Sequence, residues 1–288
     1  MQVQSFSIYR TWGNRTVSEE YILGNSTHEI KRLEVQAALF EPLTKQTLLN
    51  AGLKKGMSCI DIGCGSGSVA RLMARIVGRD GRVVGVDTED RYLQYCRQRN
   101  SALKHNIEYI PHDICKGPLD NKKKFDIVYA RFLFQHLRDT QQAVRSMKQM
   151  IKNNGSVLVQ DLDHAPGSWL CYPENEAFNM LREVYVALII KAGGDPIAGR
   201  KLYKLLIDES MDVDVECYSP CILMGQEPYS SLGWQLAESL RPQISKYALQ
   251  SEREYAKMDE GLKKLASDRG SFVAYSRFFS VLGRNKGC

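Results

Sequence analysis

Between residues 57 and 161, short apolar runs alternate with longer stretches whose apolar residues recur every three or four positions. The short runs are typical of buried strands, whereas the longer spacing is typical of amphipathic helices. Alternation of this kind predicts a doubly wound α/β sheet with mostly parallel strands. The predicted strands are 57–62, 82–87, 107–110, 125–132 and 156–161, and the predicted helices are 68–77, 90–103 and 139–151.

This alternation of strand-like and helix-like stretches does not continue on either side of the region. Residues 1–28 are aromatic and polar without a clear period, and a helix is predicted at 29–50, with Pro42 expected to interrupt or restart it. After the fifth strand, added helices are predicted. The remaining elements are helices at 176–192 and 199–209, a strand at 213–223, a mostly helical stretch at 230–267 with a break at Pro242, and a final strand at 272–282.

The composition argues against two classes of partner. The 288 residues carry a formal net charge of only +6, and 43% of them are hydrophobic. Basic residues are scattered, and the densest run, Lys122–Lys124, lies in a predicted turn, so no nucleic-acid partner is expected. The longest apolar run, near 186–190, is too short to cross a bilayer, so no membrane span is expected.

Cysteine usage bears on metal binding and on location. The eight cysteines form no C-x-x-C pair, and none has partners at zinc-ligand spacing. No metal site is therefore predicted, and reduced thiols favour a cytoplasmic location. The first residues also lack the apolar core of a signal peptide. A homo-oligomer is compatible with the sequence, although no feature specifies one.

The most informative motif follows the first predicted strand. Asp61, Gly63, Gly65 and Gly67 form the pattern D-x-G-x-G-x-G. A dinucleotide-binding turn reads G-x-G-x-x-G, and its third glycine would fall at Ser68. An acidic side chain two residues before the first glycine suits a cofactor with an amine, a carboxylate and a ribose. Glycines let the backbone turn sharply and allow the cofactor to approach.

This motif is similar to motif I of the class I S-adenosylmethionine (SAM) methyltransferases. The segment 130–137 (ARFLFQHL) resembles the region after strand four in the ubiquinone/menaquinone-biosynthesis-like small-molecule methyltransferases. The resemblance covers about residues 20–165. It implies a seven-stranded sheet with an antiparallel last strand, SAM as cofactor and S-adenosyl-L-homocysteine as product. It also implies one domain over 1–288, with an N-terminal lid and first helix (1–40), a SAM-binding core (41–165), a helical insertion (166–210) and the last strands and helices (211–288).

Several residues map to the carboxyl edge of the predicted sheet. Asp87 ends strand two, 20 residues after Gly67, where a carboxylate accepts hydrogen bonds from ribose hydroxyls. The resemblance implies that Asp113 takes the adenine amine, that Ile114 covers the ring and that Arg131 faces the methionine part. It also implies that Tyr21 and Gln36 close over the methionine end. The full predicted cofactor set is Tyr21, Gln36, Asp61, Gly63, Gly65, Gly67, Asp87, Thr88, Asp113, Ile114 and Arg131.

Methyl transfer needs alignment, exclusion of water and in some cases removal of a proton. His136 is the first candidate base, although a histidine at this place also suits the packing or capping of the next helix. Asp161, Asp163 and His164 follow strand five and are further candidates.

Aromatic residues concentrate in 1–28 and in the segments after strand five. They predict a small or medium organic methyl acceptor bound between these segments, with residues 1–28 acting as a lid that orders when cofactor binds. Three alternatives stay open: a protein methyltransferase, an NAD-dependent Rossmann oxidoreductase and a cofactor-binding protein without activity. The glycine spacing, Asp61 and the lack of a Y-x-x-x-K pair argue against the oxidoreductase.

Overall fold

The computed structural model describes residues 27–103, 106–119 and 124–285. Tyr21 and almost all of the predicted lid at 1–28 lie outside the described residues. None of the helices in these three ranges is long and apolar enough to cross a bilayer. The helices are α1 (Thr27–Asn50), α2 (Ser68–Val77), α3 (Asp90–Leu103), α4 (Thr140–Gln149), α5 (Glu176–Lys191), α6 (Ala198–Asp208), α7 (Leu232–Lys246) and α8 (Glu252–Ser267). The strands are β1 (Ser58–Ile62), β2 (Arg82–Asp87), β3 (Ile107–Pro111), β4 (Phe125–Arg131), β5 (Ile151–Asp163), β6 (Leu170–Tyr172), β7 (Met211–Tyr218), β8 (Ile222–Leu223), β9 (Phe272–Ala274) and β10 (Arg277–Asn285).

Seven strands form one sheet in the order β3-β2-β1-β4-β5-β10-β7. Neighbouring strands from β3 to β5 are parallel, and β10 is antiparallel to both β5 and β7. The strand order changes direction between β1 and β4, and ligands bind in the crevice outside the carboxyl ends at such a point. The predicted doubly wound, mostly parallel sheet with an antiparallel last strand is confirmed.

Helices cover both faces of this sheet, so its central strands are apolar along most of their length. Cys59 and Ile60 are consecutive in β1 and point to opposite faces, yet both are fully buried. Cys59 belongs to the same buried cluster as Met73 of α2, whereas Ile60 belongs to the cluster that holds Met147 of α4 and Leu202 of α6. The two clusters hold the carboxyl ends of the strands in a fixed arrangement.

A second core lies in a helical cap made of α5, α7 and α8. Phe178, Leu240 and Met258, one from each helix, belong to a single buried cluster. A small antiparallel sheet in the order β6-β9-β8 contributes the fully buried Val273 to this cluster. Helix α7 also packs against α1. The helices predicted after strand five therefore form a cap that contacts the first helix.

Two predicted strands are wrong in extent, because each divides between the two sheets. The stretch predicted at 213–223 forms β7 in the main sheet and β8 in the small one, and the stretch at 272–282 forms β9 and β10. The second division falls at Tyr275 and Ser276. At this point Tyr275 packs edge-on against Trp169, which belongs to the buried cluster of the cap. The apolar pattern does not show that the chain passes from one sheet to the other, since both strands are apolar.

The predicted helix breaks at Pro42 and Pro242 are wrong. Helix α1 continues through Pro42, and α7 continues through Pro242. A proline removes one backbone hydrogen bond from a helix, but the packing of α1 and α7 against each other and against α2 and α8 outweighs this loss. The second helical stretch divides instead at 247–251, where Ser251 and Glu254 form the capping box that starts α8.

The close contact between α6 and β5 yields a test of the fold. A Cβ atom on Gly199 of α6 would lie 2.8 Å from the main-chain oxygens of Asp161 and Leu162. We predict that Gly199→Ala lowers the free energy of unfolding by about 1–3 kcal/mol, because main-chain atoms cannot move aside cheaply. Gly270→Ala is the control, since its Cβ would meet only the flexible Asp268 carboxylate at 3.3 Å. Equal urea midpoints for the two variants would contradict this packing.

Candidate active site

The glycine turn after β1 has the backbone that its sequence predicts. Gly63, Gly65 and Gly67 have φ angles of 67°, 50° and 73°, in the left-handed region that favours glycine. A Cβ on Gly67 would lie 2.7 Å from the Cys96 sulfur, so this position has no room for a side chain. A Cβ on Gly65 would meet nothing within 4 Å. The turn is therefore packed against the protein at Gly67 and open at Gly65.

Asp61 lies beneath this turn and is 2% exposed. Its Oδ2 atom is buried and has no hydrogen-bond partner among the described residues. Burial raises the pKa of Asp61 to about 7, against the opposing effect of the nearby Arg131 guanidinium. A buried carboxylate oxygen without a partner is costly, and a ligand with an ammonium group would satisfy it.

Asp87 ends β2 and contacts the glycine turn directly. Its Oδ2 accepts a hydrogen bond from the Gly65 N–H at 2.8 Å, and its Oδ1 accepts one from the Glu89 N–H at 3.0 Å. Burial raises the pKa of Asp87, while these N–H groups act in the opposite direction. Each carboxylate oxygen has a second lone pair that remains able to accept a hydroxyl. Thr88, the next residue, is exposed.

Asp113 and Ile114 follow β3 and have different surroundings. Asp113 caps a short 3-10 turn by accepting a hydrogen bond from the Cys115 N–H at 3.0 Å, and Lys116 lies 3.5 Å from its carboxylate. Its side chain is about one-third exposed. Ile114 is only 3% exposed and belongs to the main core, so its side chain offers little surface to a ligand.

Arg131 connects the glycine turn to the next part of the site. Its guanidinium donates to the Thr44 hydroxyl on α1 at 2.9 Å and to the Ser68 hydroxyl at the start of α2 at 3.3 Å. It also lies 5.3 Å from the ring centroid of Phe132. Phe132 has a φ of 57°, a left-handed conformation that costs a non-glycine residue about 1–2 kcal/mol. Strain of this kind is common beside functional sites.

An ion pair that sequence reasoning missed holds α1 against the glycine turn. Arg71 of α2 donates to both carboxylate oxygens of Glu34 at 2.8 and 2.9 Å, and to the main-chain oxygen of Ser66 at 2.7 Å. Arg71 is 6% exposed. Because Glu34 and Arg71 are 37 residues apart, no local pattern connects them. The pair fixes the distance between α1 and the predicted cofactor site.

A cavity of about 690 Å³, including its mouth, opens beside Phe132. Most of its wall is aromatic or aliphatic. Arg32 is the one permanently charged side chain in the described wall, and Glu29 neutralises it through two hydrogen bonds of 2.6 and 2.7 Å. Gln36, which was predicted to contact the cofactor, accepts a hydrogen bond from Arg32 at 2.8 Å and lies in the wall of this cavity. The remaining wall residues are Leu33, Leu39, Phe40, Phe132, Gln135, His136, Leu162, His164, Trp169, Tyr185, Leu232, Leu236, Tyr275 and Ser276.

Two of the candidate bases are histidines in this wall. His136 is half-buried, and burial lowers its pKa to about 4. His164 is 3% exposed, and burial lowers its pKa to about 3, with a further contribution from His136. Both nitrogens of the His164 ring are within hydrogen-bond distance of protein groups. Both rings are therefore neutral at neutral pH, and His136 is the better placed of the two to meet a substrate.

Asp161 and Asp163 were predicted to follow strand five, but both lie within β5, which extends to Asp163, and both serve the fold. Asp163 is fully buried and accepts hydrogen bonds from Arg200 at 2.5 and 2.8 Å. Asp161 is also fully buried, and it accepts hydrogen bonds from the backbone N–H groups of Leu162 and Gln135 at 2.8 and 3.2 Å. Burial raises the pKa of Asp161 to about 7. Neither carboxylate lies in the cavity wall.

The sheet order, the antiparallel β10 and the glycine turn after β1 together define the class I SAM-dependent methyltransferase fold. The methyltransferase domain family matches residues 53–204, more than half of the sequence. The chain belongs to this family, and the resemblance inferred from motif I is confirmed.

Curated relatives point in the same direction. The chain is 27% identical over 156 residues to the ubiquinone/menaquinone biosynthesis C-methyltransferase of Idiomarina loihiensis. The aligned region covers 54% of this chain and 59% of that protein. It is 25% identical over 163 residues to the 2-phytyl-1,4-naphthoquinone methyltransferase of Trichormus variabilis, with 56% and 67% covered. The chain thus aligns with about 59 to 67% of the length of these two relatives.

Solved structures share the fold at low identity. A phosphoethanolamine N-methyltransferase 2 of Haemonchus contortus, in complex with phosphomonomethylethanolamine and S-adenosylhomocysteine, matches with a TM-score of 0.59 and 20% identity, covering 94% of this chain and 61% of that one. Coclaurine N-methyltransferase bound to N-methylheliamine and SAH matches with a TM-score of 0.53 and 16% identity, covering 84% and 72%. Both are similar to this chain in fold.

The burial of the two histidines leads to a prediction about pH. We expect the rings of His136 and His164 to stay neutral down to about pH 5 in the folded protein, because their pKa values are lowered to about 4 and about 3. An unfolded histidine titrates near pH 6.5. The unfolded chain therefore binds protons first, and the stability that these residues contribute above about pH 6.5 is lost as the pH falls towards 4.

Nitrogen-15 NMR of the imidazole rings measures this directly. The urea-unfolded protein is the reference, in which all histidines should titrate together. Protonation of either ring above about pH 6 in the folded protein would contradict the prediction. Asp61 and Asp161 act on stability in the opposite direction, since their folded pKa values are raised, so an unfolding curve alone does not isolate the histidines.

Proposed function

We propose that this chain moves a methyl group from SAM to a small or medium organic acceptor held in the cavity beside Phe132. The observation that carries the proposal is the connection between the two halves of the site. Arg131 contacts the start of α2 at the glycine turn and also lies over Phe132, which forms part of the cavity wall. A cofactor at the turn and an acceptor in the cavity would therefore meet at this residue.

The fit of SAM rests on features of the turn. The unpartnered Asp61 oxygen suits the ammonium group of its methionine part, and Asp87 suits its ribose hydroxyls. Asp113 is exposed enough to reach an adenine amine, and the open space at Gly65 leaves room for the ligand. When bound, SAM supplies a methyl group that its sulfonium already activates. The protein has to align the acceptor, keep out water and receive a proton where one is released.

The cavity favours an acceptor without a net charge. Its described wall is mainly apolar, its histidines are neutral, and its arginine is already paired with Glu29. A phosphate or an ammonium group would be buried there without a counter-charge, which costs several kcal/mol. A quinone-type ring, of the kind named for the two curated relatives, meets these conditions.

A peptide acceptor is less suitable. Side chains from α1, α5 and α7 line the cavity together with the segment after β4. An extended peptide needs an open groove, and none of the described features favours one. The protein methyltransferase alternative therefore has no structural observation in its support.

Binding of the cofactor is the first test. Calorimetry should show micromolar binding of SAM and S-adenosyl-L-homocysteine and no comparable binding of NAD. We predict that Asp87→Asn weakens SAM binding roughly 10- to 150-fold, because charge-assisted hydrogen bonds to the ribose are lost. Asparagine keeps one oxygen for the backbone of the turn, whereas alanine would leave the Gly65 N–H without its acceptor. Asp208→Asn, at the end of α6, is the control.

SAM binding that is as tight in Asp87→Asn as in the unchanged protein would remove Asp87 from the cofactor site. Tighter binding of NAD than of SAM would overturn the proposed function as a whole.

His136 is the proposed base. If it receives a proton, His136→Ala should lower turnover by about 10²–10⁴-fold and leave SAM affinity nearly unchanged. Radiolabelled SAM with a panel of quinols and phenols measures both quantities. His28→Ala is the control, since His28 lies on α1 and pairs with Glu238 outside the cavity wall. Full turnover in a folded His136→Ala protein would limit this residue to a structural role.

A further inference from the structure

A chain of hydrogen bonds runs from the cap to the cavity through three buried side chains. The indole N–H of Trp169 donates to Nδ1 of His164 at 3.0 Å. The other ring nitrogen, Nε2, lies 2.9 Å from Oε1 of Gln135. All three residues lie in the cavity wall, and their exposures are 6%, 3% and 1%.

The chemistry of these groups fixes the direction of the chain. An indole nitrogen only donates, so Nδ1 of His164 is the acceptor of the Trp169 bond. The Ser276 hydroxyl lies 2.6 Å from the same nitrogen and can turn its O–H towards it as a second donor. A neutral imidazole then carries its proton on Nε2 and donates it to Gln135. The atom of Gln135 that faces His164 is consequently the oxygen, which agrees with the assigned orientation of the amide. Burial among apolar groups keeps the His164 ring neutral, as this scheme requires.

The main chain of Gln135 is held as firmly as its side-chain oxygen. Its N–H donates to the Asp161 carboxylate at 3.2 Å, and its carbonyl oxygen accepts a hydrogen bond from the Asp195 N–H at 3.0 Å. A Cβ on Gly194 would lie 2.2 Å from that oxygen, so the surrounding loop is in close contact. Three of the four polar atoms of Gln135 therefore have fixed partners.

The fourth atom is the amide nitrogen Nε2, which has no hydrogen-bond partner among the described residues. Gln135 as a whole is only 1% exposed, but Nε2 is not fully enclosed and keeps a small accessible area. Gln135 is one of the residues that line the cavity. A buried N–H₂ group held at such a surface is a hydrogen-bond donor with a fixed direction.

We propose that Gln135 is a specificity-determining residue that donates a hydrogen bond from Nε2 to an oxygen atom of the methyl acceptor, and that Trp169 and His164 are positioning residues that hold its amide in this orientation. The inference rests on the proposed function and refines it. The acceptor then carries an oxygen that accepts hydrogen bonds, such as a ring carbonyl or a ring hydroxyl. Because Gln135 precedes His136, this oxygen lies close to the proposed base.

The test compares two uncharged probes of the same shape, 1-tetralone and tetralin. Only 1-tetralone has an oxygen, and its carbonyl accepts hydrogen bonds but cannot donate them. Calorimetry in saturating S-adenosyl-L-homocysteine gives the ratio of the two affinities. We expect Gln135→Met to lower the preference for the ketone about five- to tenfold, because methionine has a similar shape and no N–H. Gln142→Leu, the loss of a half-buried amide on α4 outside the cavity wall, should leave the ratio unchanged.

Two further measurements examine the positioning role. In the unchanged protein, the side-chain N–H signals of Gln135 should shift downfield on addition of 1-tetralone and not on addition of tetralin, which requires no variant to fold. Trp169→Phe keeps an aromatic ring and removes the donor to His164. We expect this variant to lower the ketone preference and to shift the proton of His164 partly to Nδ1, as seen by nitrogen-15 NMR.

An unchanged ketone ratio in folded Gln135→Met, unmoved Gln135 signals, or absence of 1-tetralone binding to the unchanged protein would each overturn the inference. These outcomes are separate from a failure of the proposed function. A protein that binds SAM and transfers methyl groups with an unchanged ketone ratio would refute only the role of Gln135. A protein that does not bind SAM would refute the proposed function, whatever the probes show.

Discussion

The attraction between the Arg131 guanidinium, at the end of the neighbouring strand, and the Asp61 carboxyl beneath the glycine turn offsets part of the cost of burying Asp61. The same guanidinium bonds to Thr44, which also donates to the buried Gln160 on β5 at 3.1 Å. Through these contacts one cation joins the turn, α1 and the middle of the sheet. Any shift of α1 would therefore disturb both the carboxylate beneath the turn and the wall of the cavity.

The parallel core was predictable because its strands are buried on both faces and appear in the sequence as unbroken apolar runs. The limits of that reading are clear at 213–223 and 272–282, where one apolar stretch supplies strands to two different sheets. Local hydrophobicity reports burial and not the identity of the strand's neighbour. The two prolines illustrate the same limit, since contacts between α1 and α7 outweigh a local preference.

The candidate site likewise has features that the sequence predicted and features that it did not. The glycine turn and Asp87 were predictable because each sits at a strand end with a recognisable spacing. The Gln135–His164 contact joins residues 29 apart, and the Glu34–Arg71 pair joins residues 37 apart, so neither leaves a local pattern. Sequence reasoning also could not predict the burial of each side chain, which decides which candidate bases can reach a substrate. His136 lies in the cavity wall, whereas Asp161 and Asp163 are fully buried outside it.

The segment at 272–285 supplies a strand to each of the two sheets, and each of these strands has a partner on both sides. β10 lies between β5 and β7 in the main sheet, and β9 lies between β6 and β8 in the small one. Each of these strands therefore pairs with two strands that are synthesised before it. Until this segment leaves the ribosome, β5 and β7 have no hydrogen-bonded link to each other, and the wall around Tyr275 and Ser276 is missing. The cofactor turn can form on a nascent chain well before the acceptor cavity, so the two halves of the site mature at different times.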